Sequence, residues 1–435
     1  MLVRVLTLAL LALSASAQAN ETWIVRTDLW GNPAFSTLEL SRERSRITGD
    51  LDGDRVEGQF AGPDASFNAT DAKGRVSRYL ARIEDGRMRG EVDAPDTNDP
   101  AARAKHRFSA WRLPQRPDGG PRTLDFQPAD YSNTWNADRP PVMVLWPGDT
   151  VRTSTVDSGG VDARGITRAL FGNPQTGPFF IAGAEPGDTL VVRLRRLQLN
   201  RDYADSLDDI VSRALPTSLA AQAGELGKPV RWRLDRERGI ARPEKADGAL
   251  ADYAAPLKPM LGGLAVAPGF GMPPVSTGDT GRFGGNMDFN EVVAGNTIYL
   301  PVQQPGALLY MGDAHALQGD GETSQYALET SMDVTFSVEL VKGKAINMPR
   351  VESPTQIMAL GQAGSLDDAL KAASAGLVAW LQMDYGMTLP QAAQVLGSAV
   401  RYSVANLAGR SVGVAAKLDK ARLPPSRGIV SAWEK

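Results

Sequence analysis

The sequence predicts a mainly β (α+β) protein with a small N-terminal antiparallel β domain, a larger β-rich unit and helices near the C-terminus. The chain of 435 residues contains 44 glycines and 29 prolines, which is typical of chains with many strands and turns. Apolar and polar residues alternate over short stretches between turn motifs, as in half-buried strands. From residue 365 onward, apolar residues recur at the spacing of an amphipathic helix.

The N-terminus has the pattern of a secretory signal peptide over residues 1–19. A positive charge in MLVRV precedes the apolar stretch LTLALLALSASA, and Ala17-Gln18-Ala19 fits an A-x-A cleavage site. The apolar stretch is too short to span a bilayer comfortably. We therefore expect cleavage after Ala19 and a periplasmic or secreted mature protein.

Residues 20–113 are predicted to form the small antiparallel β domain. Alternating segments such as FSTLELSRE are separated by turn motifs at 51–54 and 84–86. The stretch 114–132 is rich in proline, glycine and polar residues and has the composition of a linker. The remaining residues, 133–435, are predicted to form the larger domain.

Two helices near the C-terminus are predicted to be packing elements. The first begins after Ser365 as N-cap and ends at Gly386. The second begins with a capping box, Thr388 with Gln391. One face of the first helix is predicted to contain Leu366, Leu370, Ala373, Leu377, Trp380 and Leu381.

Composition and missing motifs exclude several function classes. The net charge is −3, so nothing indicates nucleic acid or an anionic membrane as a partner. The chain contains no cysteine, which excludes disulfides and thiol nucleophiles. The sequence has no phosphate-binding loop, dinucleotide-binding glycine pattern or H-E-x-x-H helix.

Two glycine-flanked segments concentrate acidic and amide side chains after apolar strands. The segment GGNMD (284–288) contains Asn286 and Asp288. The segment GDAHALQGDGE (312–322) contains Asp313, His315, Gln318, Asp320 and Glu322. Carboxylates crowded in a partly buried site repel one another, and a divalent cation removes that penalty. One imidazole with several oxygen ligands suits zinc, manganese or another first-row ion, which would activate a water.

Each of these residues can also be interpreted as structural rather than as catalytic or metal-binding. Asp-Gly and Gly-Asp pairs are common turn formers, and a lone histidine is usually a hydrogen-bonded structural residue. Asp157, which closes a predicted strand, is interpreted as a further ligand or base. His106 lies beside Lys105 and is interpreted as a surface residue.

The stretch GGNMD…AGNTIYLPVQQPGALLYMGDAHALQGDGE closely resembles the acetamidase/formamidase family. In that family, Gly-Gly-Asn-Met-Asp precedes strands that lead to a Gly-Asp-x-His-x-x-Gln-Gly-Asp-Gly-Glu signature. The likeness extends to TGPFFIAGAEPGDTLVV (176–192) and GMTLPQAAQVLGSAVRYSVANL (386–407). The resemblance implies a β-sandwich-like core, homo-oligomeric assembly and hydrolysis of a short linear amide to a carboxylate and ammonia.

The resemblance further implies a divalent metal, zinc or manganese, held by acidic residues and histidine. The predicted metal ligands are Asp157, Asp313, His315 and Asp320. Glu322 or Asp288 is predicted to transfer the water proton, and Asn286 or Gln318 to bond the substrate or its developing oxyanion. Glu329 matches a family glutamate after the signature, whereas Glu185 matches less closely.

One departure from the family lies just after the signature. Many relatives have a cysteine there, whereas this chain has Thr323-Ser324-Gln325-Tyr326, and we expect Tyr326 to reshape the pocket. The predicted partner is a small-molecule amide. The alternatives are a non-catalytic binding or scaffold protein on the same fold, and a hydrolase of another amide or an ester.

Overall fold

The computed structural model of the protein describes residues 19–99 and 101–426. The chain divides into two compact units, residues 1–115 and 116–435. Of the predicted signal peptide, all but Ala19 lies outside the described residues. The predicted mainly β class, with few helices and an N-terminal antiparallel β unit, is confirmed.

The smaller unit is a closed barrel of eight antiparallel strands. Its strands are β1 (Ala19–Leu29), β2 (Asn32–Glu43), β3 (Arg46–Leu51), β4 (Asp54–Ala61), β5 (Asp64–Thr70), β6 (Val76–Glu84), β7 (Arg87–Pro95) and β8 (Arg103–Arg112). Each strand pairs with the next, and β8 pairs with β1. Alternate residues point inward, so that Val56 and Phe60 of β4 are buried while Glu57 and Gln59 face outward.

His106 is buried in this barrel, contrary to the predicted surface position. The alternation along β8 places it inward, with Phe108, while its neighbour Lys105 points outward. The ring of His106 lies 4.5 Å from that of Trp30 in an edge-to-face arrangement. The error arose because charged neighbours in a strand say nothing about the opposite face.

The larger unit contains the remaining strands. The first of these are β9 (Thr123–Asp125), β10 (Thr134–Trp135), β11 (Met143–Leu145), β12 (Thr150–Ser154), β13 (Gln175–Ile181), β14 (Thr189–Leu199), β15 (Tyr203–Leu207), β16 (Pro229–Asp235), β17 (Ile240–Pro243), β18 (Ala255–Pro256) and β19 (Met260–Ala265). They are followed by β20 (Val275–Ser276), β21 (Thr280–Gly281), β22 (Gly284–Asn286), β23 (Thr297–Pro301), β24 (Leu309–His315), β25 (Glu329–Thr330), β26 (Met332–Val341), β27 (Arg350–Glu352), β28 (Gln356–Ala363), β29 (Arg401–Asn406) and β30 (Val412–Asp419).

Two large sheets and a small ribbon of β10 and β20 organise these strands. A nine-stranded sheet has the order β29-β30-β28-β27-β23-β14-β26-β12-β9. An eleven-stranded sheet has the order β18-β17-β16-β15-β25-β24-β19-β22-β21, with β13 pairing to β24 and to β11. Apolar side chains of both sheets form one core, in which the rings of Phe179 and Phe336 lie 5.3 Å apart. The sheets therefore pack face to face as a β-sandwich.

Three α-helices are found among the described residues: α1 (Thr217–Ala220), α2 (Leu366–Tyr385) and α3 (Leu389–Ala399). Both predicted caps of α2 are confirmed, because Ser365 accepts from the Asp368 N–H and Gly386 is left-handed, and α3 has its capping box. Leu377 and Trp380 pack in a second core with residues of the nine-stranded sheet. Leu366 and Leu370, predicted on the packing face, are each 42% exposed, whereas Ala369 and Ala373 are fully buried and their backbone lies against Gly361 of β28.

The start of the larger unit differs from the expected linker. Strand β9 lies within the stretch 114–132 and pairs in parallel with β12, so part of that stretch belongs to the sheet. Asp125 at its end forms an ion pair with Arg152. Within the described residues, none of the helices combines the length and apolar character that crossing a bilayer requires.

Leu377→Ala is expected to lower the free energy of unfolding of the larger unit by about 2–5 kcal/mol, because it removes a fully buried side chain and leaves a cavity. Urea denaturation followed by tryptophan fluorescence measures this change. Leu370→Ala, on the exposed side of the same helix, is the matched control and should cost less than about 1 kcal/mol. Equal losses in the two variants would contradict the described packing of α2.

Candidate active site

The central strands of the eleven-stranded sheet bring the two acidic segments together. Strand β24 contains Asp313 and His315, and its pairing with β25 places His315 opposite Glu329. On its other side, β24 pairs with β19, which in turn pairs with β22 so that Gly263 faces Asn286. Residues distant in the sequence therefore meet around these strands.

Four acids and one histidine form a buried group, here called the acid–histidine cluster: Asp288, Asp313, His315, Glu322 and Glu329. The cluster consists of two triads that share His315. Asp288 and Glu322 complete the first triad, and Asp313 and Glu329 complete the second. One ligand atom from each residue of a triad lies within 4.8 Å of the others. This spacing would allow either triad to surround a single ion.

The backbone around the cluster adopts an unusual conformation. The φ angle is 57° at Asn173, 40° at Asp288, 54° at Asp313 and 42° at Glu322, all in the left-handed region. Residues other than glycine rarely adopt it, at a cost on the order of 1–3 kcal/mol each. Such strain persists only where surrounding contacts enforce it, and it concentrates at functional sites.

Gly262 on β19 makes room for two of the carboxylates. A Cβ atom added there would stand 2.3 Å from Oδ1 of Asp288 and 2.6 Å from Oδ2 of Asp313. These distances are far shorter than any tolerated contact. The missing side chain therefore allows both acids to approach the same point above the strand.

Gln318 determines the tautomer of His315. Its amide nitrogen donates to the main-chain carbonyls of Asp288 and Ala405, at 2.5 and 3.4 Å, so its Oε1 remains as the acceptor. This oxygen lies 2.9 Å from Nδ1 of His315 and accepts the Nδ1–H. In the neutral imidazole, Nε2 therefore has the free lone pair, as in a metal-binding histidine.

The Nε2 atom of His315 faces acceptors rather than a donor. Glu329 Oε1 is 3.1 Å away and Asp313 Oδ1 is 3.6 Å away. Nε2, Asp313 Oδ1 and Glu329 Oε2 are buried without a partner in hydrogen-bond geometry. A lone pair beside ionised oxygens is repulsive, so this arrangement requires a proton or a cation among them.

Two asparagines orient Asp288. The Nδ2 groups of Asn286 and Asn406 both donate to its Oδ2. Asn286 itself accepts a 2.7 Å hydrogen bond from Nδ2 of Asn173, which also lies 3.2 Å from Oδ2 of Asp313. The other oxygen of Asp288, Oδ1, is buried and unpaired. The amides thus fix one oxygen and leave the second available to an ion.

Burial disfavours the ionised form of the cluster acids. It raises the pKa of Asp288 well above its ordinary value, and the charge of Asp313 raises it further. Burial followed by the charge of Asp288 raises the pKa of Glu322 in the same way. Burial also raises the pKa of Glu329. For His315, burial lowers the pKa, but the charges of Glu329 and Asp313 outweigh it and leave the pKa well above its ordinary value. The cluster therefore attracts positive charge, as protons or as a cation.

The unpaired atoms fit a divalent cation. They are Asp288 Oδ1, Asp313 Oδ1, His315 Nε2 and Glu329 Oε2. Asp313, His315 and Glu329 belong to one triad, and carboxylate oxygens with an imidazole nitrogen are ligands suited to zinc or manganese. Glu322 is also buried, and it belongs to the triad of Asp288 and His315.

Two of the predicted ligands lie outside the cluster. Asp320 is exposed in a turn and accepts a 2.8 Å hydrogen bond from Asn290. The carboxylate of Asp157 is occupied by the protein, because Oδ2 lies 2.7 Å from the Arg201 guanidinium and Oδ1 accepts from the Val161 N–H at 2.8 Å. These contacts correct the predicted roles: Asp320 shapes a turn, and Asp157 neutralises a buried arginine.

The predicted substrate-binding amides also have other partners. Both ends of Asn286 and of Gln318 bond within the protein, so they orient Asp288 and His315 instead of facing a substrate. Glu185 lies in the turn before β14, where its N–H donates to Asp188 at 2.8 Å.

Sequence reasoning did not single out Asn173 or Asn406. Asn173 lies in no motif, and Asn406 lies near the end of the family-like stretch 386–407, but only the fold brings the two residues to the acids. Glu329 was noted only as a family match, and its position shortly after the signature was the available signal.

Comparisons with known proteins identify the family that this chain resembles. The Acetamidase/Formamidase family profile matches residues 212–364. An acetamidase of Mycolicibacterium smegmatis is 34% identical over 110 residues, which is 25% of this chain and 25% of the relative. A Schizosaccharomyces pombe protein that carries the name formamidase is 42% identical over 60 residues, 14% of this chain and 15% of the relative. The chain thus aligns with only a small part of these curated relatives.

A solved structure extends the likeness over more of the chain. The crystal structure of an acetamidase from Yersinia enterocolitica is 28% identical, with a TM-score of 0.61. The match covers 71% of this chain and 95% of that one. The resemblance to the acetamidase/formamidase family is therefore confirmed.

Asp157→Ala is expected to lower the free energy of unfolding by about 3–5 kcal/mol, because it leaves the buried guanidinium of Arg201 without its carboxylate. Asp320→Ala is the matched control at an exposed acid and should stay within about 0.5 kcal/mol of the parent. Chemical denaturation of both variants measures the difference. A fully stable Asp157→Ala protein would contradict the structural role given to this ion pair.

Proposed function

We propose that this protein, which resembles the acetamidase/formamidase family, is an exported hydrolase of linear amide C–N bonds. It converts a short-chain amide to a carboxylate and ammonia with the help of a divalent ion. The observation that carries the proposal is the acid–histidine cluster, in which four ligand-type atoms are buried without partners. A non-catalytic scaffold would have no reason to retain this unfavourable concentration of acids.

The ion would be held by Asp288, Asp313, His315 and Glu329. When bound, zinc or a similar ion lowers the pKa of a water and polarises a carbonyl near neutral pH. Side-chain amides behind these ligands orient Asp288 and His315. They belong to Asn286, Asn406 and Gln318. Such outer groups support ligand geometry and basicity.

Glu322 is the proposed general base. Burial, followed by the charge of Asp288, raises the pKa of Glu322, which favours proton uptake by this carboxylate. In this scheme Glu322 takes a proton from the attacking water as the C–O bond forms. It then delivers that proton to the amide nitrogen as the C–N bond breaks, which releases ammonia. Asp288 was an alternative base, but its fixed Oδ2 and unpaired Oδ1 favour a ligand role.

Export and assembly belong to the same proposal. The pattern of residues 1–19 supports secretion with cleavage after Ala19, which N-terminal sequencing of the periplasmic protein would test. Homo-oligomeric assembly is expected from the family resemblance, and light scattering would measure it.

The purified protein is expected to release ammonia from primary amides, to lose this activity on chelation and to regain it with zinc or manganese. A panel of amides assayed for ammonia before and after chelation tests the function and the cofactor together. Glu322→Gln should reduce kcat by at least about 100-fold, because it removes the base. Asp320→Asn, at an exposed acid of the same segment, is the matched control. An active Glu322→Gln enzyme would refute the base assignment, and activity that survives chelation would refute the cofactor.

Gln318→Leu is expected to weaken zinc binding by about 10–100-fold, because it removes the acceptor that fixes the His315 tautomer. Competition with a chromophoric chelator measures the affinity. Gln325→Leu, an exposed glutamine in the following loop, should leave it unchanged. Equal affinities for the two variants would disprove the orienting role of Gln318.

A further inference from the structure

The loop of residues 158–173 begins and ends at the acid–histidine cluster. At its start, the Ser158 side chain lies near the Glu329 carboxylate and favours its ionised form, although burial has the larger effect and raises the pKa of Glu329. At its end, Asn173 donates to Asp313. The two ends are tied together, because the N–H groups of Gly172 and Asn173 donate to the Ser158 carbonyl at 3.1 and 3.0 Å. The loop therefore emerges from the cluster and returns to it.

This loop is held in one shape by its own hydrogen bonds. The Asp162 carboxylate accepts from the N–H groups of Arg164 and Ile166 at 2.8 and 3.0 Å and forms a 2.8 Å ion pair with Arg168. The Gly160 carbonyl accepts from the Arg168 N–H at 2.7 Å. Such internal packing is characteristic of a compact Ω-loop.

Near its end, the loop presents apolar side chains to solvent on an anchored backbone. Leu170 is 80% exposed and Phe171 is 67% exposed. The Nδ2 group of Asn133 bonds to the carbonyls of Leu170, Phe171 and Gly172, at 3.1, 3.3 and 3.1 Å. Because the main chain is anchored, the exposure of these two side chains is built into the fold.

Tyr326 lies beside Phe171, in the segment between Glu322 and Glu329. Its ring is 6.2 Å from that of Phe171, at an interplanar angle of 67°. The segment is anchored by Ser324, whose hydroxyl donates to Asp209 at 2.6 Å. Burial, followed by the charge of Glu329, raises the pKa of Tyr326.

We propose that Leu170, Phe171 and Tyr326 form an apolar collar that contacts the acyl group of the substrate. The inference rests on the proposed function. A reacting carbonyl has to reach the buried cluster, so its substituent extends outward, past the loop that begins and ends there. The collar therefore favours primary amides whose acyl group is apolar and larger than the methyl of acetamide. The burial of such a group against exposed apolar side chains is favourable, whereas a methyl group gains little.

The test compares acetamide, hexanamide and phenylacetamide as substrates of the full-length, zinc- or manganese-loaded protein. The variants are Leu170→Ala combined with Phe171→Ala, and Tyr326→Ala. Phe270→Ala is the matched control, because this phenylalanine is 62% exposed but belongs to a different loop. We expect each collar variant to lose about tenfold in kcat/KM for the two larger amides and less than about twofold for acetamide. The control should lose nothing.

A binding measurement separates failure of the collar from failure of the proposed function. Calorimetric titration with hexanamide reports contact with the collar whether or not the amide is hydrolysed. Weaker binding by the collar variants supports the inference, even if no ammonia is released and the hydrolase proposal fails. Identical binding and unchanged substrate preference in the collar variants would overturn it. A changed oligomeric state with unaltered kinetics would also overturn it, since the collar would then be a subunit contact.

Discussion

Four buried carboxyl groups surround one buried imidazole, and this electrostatic constraint governs the site. Ionised acids so close together repel one another, and burial removes the solvent that would screen them. The imidazole alone cannot balance them, and its tautomer turns a lone pair toward two of their oxygens. The cluster is therefore favourable only when it holds added positive charge.

The surrounding structure prevents the acids from relaxing apart. Gly262 and the left-handed residues Asp288 and Asp313 bring carboxylates together, and the sandwich core encloses the strands that bear them. Around these acids, side-chain amides orient individual atoms of the acid–histidine cluster. Further out, the pair of Asp157 and Arg201 stabilises β25, because the guanidinium also donates to the Glu329 carbonyl at 3.2 Å. This ion pair thus supports Glu329 through its main-chain carbonyl and does not contact the Glu329 side chain.

Local patterns in the sequence predicted the strand-rich class, the caps of α2 and the capping box of α3, since these depend on neighbouring residues. The signature segments likewise indicated His315 and its neighbouring acids. Roles that depend on long-range pairing could not be read in this way. Asp157 follows a strand, which is a common position for a metal ligand, but its carboxylate forms an ion pair with Arg201. Nothing in the sequence spacing of the two residues reveals this pairing. Asn406 reaches Asp288 only because two sheets pack together. His106 is buried because its side chain points to the inside of the barrel from β8.

The closed hydrogen bonding of the N-terminal barrel has a consequence for recognition. Every strand from β1 to β8 has a neighbour on both sides, so most main-chain groups of these strands are already used within the sheet. A partner therefore finds no fully open edge strand to which it could add a strand of its own. Docking on this unit would depend mainly on side chains on its curved outer wall or at the rims where its hairpins turn.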